Sequence, residues 1–196
     1  MEQTEWTQTL EERLFEQRVV LLHGPLDDLS VARTSAELMT LDAQGDEPVS
    51  LRVDCSEGSL AVALTLMDVI ELMGVAVRAL CLGQVGAAAS GVVAVCQHRA
   101  AMPSTRFVLR EPSTQVDVHA RDVARWVDLR ADELRRFCTR LGSATGRTIE
   151  TVQGDLERGL LMGAEEAVAY GLLDEVCTPE AEIRHLPGPP FGFRPR

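Results

Sequence analysis

The chain has 196 residues, enough for one domain with a sizeable core, and its 45% apolar and 25% charged residues are ordinary globular values. A net charge of −11 argues against non-specific nucleic-acid binding and against docking on an anionic membrane. Five scattered cysteines without C-x-x-C spacing (Cys55, Cys81, Cys96, Cys138, Cys177) point to a reducing cytoplasm. Four histidines (His23, His98, His119, His185) show no ligand spacing either, so no metal and no cofactor are expected. All 19 basic residues are Arg, and Lys and Asn are absent, which reads as coding bias from a GC-rich, for example actinobacterial, genome. The acidic, polar start at Met1 to Trp6 does not read as a signal peptide, and no apolar stretch is long enough to span a bilayer.

Residues 1–12 form a short polar N-terminal segment. Arg18 to Leu22 predicts a buried strand, and His23 to Asp28 a turn. Leu29 to Leu41 follows with helical spacing. Val49 to Val53 alternates, with Ser50 and Arg52 on the face opposite Val49, Leu51 and Val53. The loop Asp54 to Ser59 opens onto a helix over Leu60 to Met73. Val75 to Leu82 predicts a third strand, leading through Gly83-Gln84-Val85-Gly86 into an Ala/Val-rich helix from Ala87 to Cys96.

Strand, small-residue turn and helix make a nucleophile elbow. Here its apex reads Gly86-Ala87-Ala88, with nothing to attack a carbonyl. Pro103 to Leu109 is extended, and Ser113 to Val118 reads as a strand standing apart from the core. Ala120 to Leu141 is a long charged amphipathic helix, ended by Ala144-Thr145-Gly146. Thr148 caps a short helix, and Gly171 stops the one over Ala164 to Tyr170. Leu172 to Val176 closes the pattern before a Pro/Gly-rich tail over 179–196. The alternation of strands and helices predicts parallel β-α units in an α/β fold.

Three stretches resemble the ClpP family, the proteolytic subunits of the ATP-dependent Clp protease. They are Arg13 to Asp28, Asp54 to Ser59 (where the family has Asn-Ser-Pro-Gly-Gly-Ser), and Ala164 to Val176 with its Tyr170-Gly171-Leu172. The resemblance covers 13–178 and implies a ClpP/crotonase-like fold with a projecting strand–helix handle at 113–141. It implies a Ser-His-Asp protease, yet the aligned positions hold Ala87, Arg110 and Gly159. A methyl cannot attack, a guanidinium cannot take a proton, and Gly offers no carboxylate. Gly58 and Ala88 keep the backbone N–H groups of an oxyanion-hole-like pair.

Two readings of Arg110 are open: it fills the vacated pocket, paired with Glu111 or Glu57, or it binds an acidic group. Ser90, three residues beyond the apex, is read as packing or capping; Ser56 and Ser59 are read as turn hydroxyls. The family also implies heptameric rings, built from this chain alone or with an active paralogue, with Glu157-Arg158 contacting the opposite ring. Its docking pocket for an AAA+ unfoldase maps to Met39, Ser50, Arg52 and Leu72. Loss of aromatics at Ser50 and Arg52 makes that docking doubtful. The leading expectation is an inactive ClpP-like subunit. The alternatives are a residual serine hydrolase using Ser90 and a crotonase-like acyl-CoA-binding protein.

Overall fold

A computed structural model describes residues 10–112 and 119–177. The first half alternates as the sequence predicts: β1 (Val19–His23), α1 (Asp28–Gln44), β2 (Val49–Asp54), α2 (Leu60–Leu72) and β3 (Val77–Cys81). β1, β2 and β3 are neighbours in sequence order and all parallel. Right-handed crossovers between sequential parallel strands place both helices on the same side. Burial along β2 alternates accordingly: Val49, Leu51 and Val53 are fully buried, while Ser50 and Arg52 on the other face are half-buried.

Caps fix where the helices start. Asp27 accepts from the Ser30 N–H at 2.8 Å and Ser30 answers the Asp27 N–H at 2.9 Å, a reciprocal box at the start of α1. Ser59 caps α2 through the Val62 N–H. Thr148 caps α5 (Ile149–Arg158) through the Thr151 N–H, and Gly171 ends α6 (Ala164–Tyr170) at φ +91°. Both expectations for these caps hold.

Three strands escape the sequence pattern. β4 (Gln84–Gly86) lies within the elbow, β5 (His98–Ala101) follows α3 (Ala87–Ala94), and β7 (Leu160–Gly163) precedes α6. β5 joins the main sheet in the order β1-β2-β3-β5-β8, where β8 is Glu175–Val176. β4 and β7 flank β6 (Arg106–Leu109) in a second, three-stranded sheet. Arg99 ties β5 to the last segment: it makes two bonds to the Asp174 carboxylate and reaches the Ala144 and Gly171 carbonyls.

The long helix α4 (Val123–Thr145), preceded by a 3₁₀ turn at Ala120–Asp122, has two regimes. Phe137, Cys138, Leu141 and Gly142 are buried in its C-terminal half, whereas Val123, Val127 and Leu129 are exposed near its start. The expected strand over Ser113 to Val118, the segment 1–9 and the tail from 178 lie outside the described residues. Phe137 packs so closely on α3 that a Cβ at Gly91 would stand 2.2 Å from its ring. Among the described residues no helix is long and apolar enough to cross a membrane.

Candidate functional site

The elbow is built differently from the simple strand-to-helix turn. β3 does not lead into the helix. Gly83, at φ +50°, turns the chain out of the main sheet, and three-residue β4 then carries it into α3. The physical reason is pairing: β4 finds β6 as a parallel partner, and the Arg106 N–H donates to the Gly83 carbonyl at 2.9 Å. The helix still begins at Ala87, as predicted, but it ends at Ala94 rather than Cys96.

The elbow and the loop after β2 are stitched together. The Gly86 N–H donates to the Cys55 carbonyl at 2.7 Å, and a Cβ at Gly86 would stand 2.2 Å from the Ser56 carbonyl oxygen. Only glycine permits that approach. Gly58 is similarly confined: its Cβ would meet Leu26 at 2.6 Å and the Ala88 side chain at 3.3 Å. Gly58 and Ala88 are therefore immediate neighbours. Ala88 sits in the first turn of α3, where N–H groups have no partner within the helix, and no side chain caps that end.

A cavity of about 550 Å³ opens where three segments meet. The loop contributes Ser56, Glu57 and Gly58, and the helix start contributes Ala87 and Ala88. The segment leaving β6 contributes Val108 and Arg110 to Pro112. Gly159, the left-handed C-cap of α5 at φ +73°, lies against Arg110: its Cβ would stand 3.7–3.9 Å from the Arg110 aliphatic carbons. The three positions that the family resemblance suggests for a Ser-His-Asp set are thus gathered in space, Ala87 and Arg110 in the cavity and Gly159 beside it.

Arg110 corrects one expectation. It does not fill a buried pocket as an ion pair. It is exposed, and among the described residues it makes neither a hydrogen bond nor a salt bridge. Glu111, the expected partner, faces Arg130 of α4 at 3.8 Å instead, and Arg130 also donates to the Pro112 carbonyl at 2.7 Å. The Glu111 N–H donates to Leu156 of α5 at 3.1 Å. Residues 111–112 are thereby pinned from two helices, while the Arg110 side chain stays unengaged.

Substitute nucleophiles are poorly placed. Ser90 is fully buried and donates to the Gly86 carbonyl at 2.9 Å, one helical turn back, which is the packing role expected of it. Ser56 is the hydroxyl that lines the cavity, and no described imidazole lines it with Ser56. His98 instead lies on β5, 3.3 Å from Glu175. Burial pushes the thiol of Cys55, whose carbonyl accepts the Gly86 N–H, up to about 12, with Asp54 adding to the shift. Burial, partly opposed by Arg99, pushes Cys96 up to about 12, and burial pushes Cys138 to about 11 with help from Glu111 and Glu157. Such thiols remain protonated and are weak nucleophiles near neutral pH. Among the described residues no group of His, Cys, Asp and Glu could hold a metal ion.

One buried carboxylate escaped the sequence reading. Asp155 accepts the Tyr170 hydroxyl at 2.8 Å and pairs with Arg158, while its backbone carbonyl receives the Gly159 N–H at 3.0 Å. Burial and then Asp155 raise the Tyr170 phenol, so it remains a donor. No spacing signal in the sequence joins Asp155 to Tyr170. A second concavity, about 660 Å³, is lined by Glu11, Glu12, Phe15, Glu16, Arg33 and Glu37, and holds no nucleophile or base pair of this kind.

The comparisons with known proteins fit this elbow. The family model described as Clp protease matches residues 2–180. The chain belongs to the Clp protease family. It is 30% identical over 171 residues to the ATP-dependent Clp protease proteolytic subunit 1 of Thermobifida fusca, covering 84% of this chain and 76% of that one. The protein of the same name from Corynebacterium diphtheriae is 30% identical over 175 residues, covering 84% and 80%. The one from Corynebacterium glutamicum is 29% identical over 176 residues, covering 84% and 81%.

Proposed function

We propose that the chain is a proteolytically inactive subunit of a Clp-type assembly, with a structural or regulatory role in a ring formed with itself or with an active paralogue. The observation that carries this is the gathering of Ala87, Arg110 and Gly159 about one cavity, where a nucleophile, a base and an orienting carboxylate are needed for acyl transfer. Removing a whole triad leaves at most the modest help of binding and oxyanion stabilisation.

Assembly rests on other features. Glu157 and Arg158 are exposed at the end of α5, and Val123, Val127 and Leu129 stand exposed on the N-terminal part of α4. These offer contacts to a second ring, as the relation to Clp proteolytic subunits implies. Unfoldase docking is weak in this reading. Met39 and Leu72 are exposed apolar side chains, at 54% and 78%, but Ser50 and Arg52 give the sheet face no aromatic anchor.

Native mass measurement of the purified chain, alone and co-expressed with an active paralogue from the same genome, tests the reading. A seven- or fourteen-subunit particle, homomeric or mixed, is the expected result. A monomer under both conditions would overturn the ring role.

A further inference from the structure

The elbow cavity holds a positive charge, Arg110, that no carboxylate among the described residues engages. A chain with 30 carboxylates has every opportunity to neutralise Arg110, and its neighbour Glu111 is the nearest in sequence. The fold directs Glu111 toward Arg130 instead, and α5 and α4 pin residues 111–112 in that arrangement. Ala87 in the cavity and Gly159 beside the Arg110 aliphatic carbons are too small to obstruct the guanidinium or to pair with it. The result is a cavity of ligand-binding size, about 550 Å³, with one guanidinium that the described residues leave unengaged.

We propose that this cavity binds the C-terminal carboxylate of a short peptide, with Arg110 as the recognition group. The proposal rests on the reading of the chain as an inactive subunit, and it gives the emptied site a ligand. A guanidinium is permanently charged and presents a planar fork that matches a carboxylate in two parallel bonds. A peptide terminus carries a backbone carbonyl next to its carboxylate. Gly58 and Ala88, whose backbone N–H groups are the oxyanion-hole-like pair, line the same concavity as the cation. Glu57 and Glu111 also line it, so a dianion such as phosphate, or a peptide with further acidic side chains, meets repulsion. A singly charged, otherwise apolar peptide end suits this balance. Such ends are what a peptide-bond hydrolase releases, so an active subunit in the same ring would supply the ligand.

The test uses the assembled full-length protein and N-acetyl-Ala-Ala-Leu, offered as the free acid, as the C-terminal amide, and beside N-acetyl-Ala-Asp-Leu amide, whose carboxylate is internal. Binding is read by ligand-observed NMR and calorimetry, and the peptide is recovered and weighed by mass spectrometry. The free acid is expected to bind at least about tenfold more tightly than either amide, in line with a charge-assisted hydrogen bond. Arg110→Gln removes that difference, and Arg110→Lys keeps part of it, with native mass unchanged in both. Equal binding of acid and amide, equal binding of the internal carboxylate, retention of the preference in Arg110→Gln, or no saturable binding of the acid would each overturn the proposal. Cleavage of the peptide would instead overturn the inactive reading beneath it, so the two failures are distinguishable.

Discussion

The elbow and the rim of the cavity it lines are held by different forces. At the elbow and the loop beside it the glycines are fixed by contact: a Cβ at Gly86 or Gly58 would stand 2.2 or 2.6 Å from its nearest neighbour. At the rim nothing is crowded. Arg110 reaches into solvent, and a Cβ at Gly159 would make only ordinary contacts at 3.7–3.9 Å. Gly159 owes its place to a left-handed helix end, not to packing. The scaffold around the elbow is thus tightly specified, while the rim positions Arg110 and Gly159 have room to change.

That contrast can be broken from the scaffold side. Phe137→Ala removes the ring that seats α4 on α3 and is expected to cost about 3–5 kcal/mol, read as a fall in the denaturation midpoint. Gly86→Ala forces the Ser56 backbone away and is expected to cost about 1–3 kcal/mol or more, with loss of any peptide binding. Asp155→Ala leaves the Tyr170 hydroxyl without its buried acceptor and is expected to cost about 1–3 kcal/mol by the same measurement. Gly159→Ala sharpens the comparison from the rim: the side chain fits, so only the left-handed backbone resists, at about 1 kcal/mol.

The smallest effect concerns pH. Arg99 holds the Asp174 carboxyl below its usual range, chiefly by a side-chain hydrogen bond. The folded state therefore gains stability from this pair above the ordinary carboxylate value of 3.8 and loses it as pH falls through the lower folded value. Asp174→Asn is expected to flatten the acid limb of the stability profile below about pH 4. The effect is modest because Asp174 is partly exposed. An unchanged acid limb would show that the pair contributes nothing.

Much of this architecture was legible because local patterns carried it. Alternation in Val49 to Val53, the Thr148 cap, the Gly171 stop and the Ala-rich run after Gly86 each determine their own element. Asp27, read as part of a turn, and Ser59, read as a turn hydroxyl, turn out to be caps. What was not legible depends on distant partners. β5 reads as His98-Arg99 with two alanines, and becomes a strand because β3 lies beside it and Asp174 neutralises Arg99. β4 and β7 exist because β6 pairs with both. The unengaged state of Arg110 was hidden for the same reason: Glu111 stands next to it in sequence, but Arg130, far along the chain, faces that carboxylate.

The most direct test of the central claim is turnover of small fluorogenic peptides by the wild-type assembly, run beside the Ala87→Ser/Arg110→His/Gly159→Asp variant. The account predicts no turnover above buffer from the wild type. Recovery of activity in the triple variant would show that the scaffold needed only its three reacting groups. Wild-type turnover that survives stringent purification and disappears in Ser56→Ala or Ser90→Ala would contradict the account and make this elbow a relocated active site.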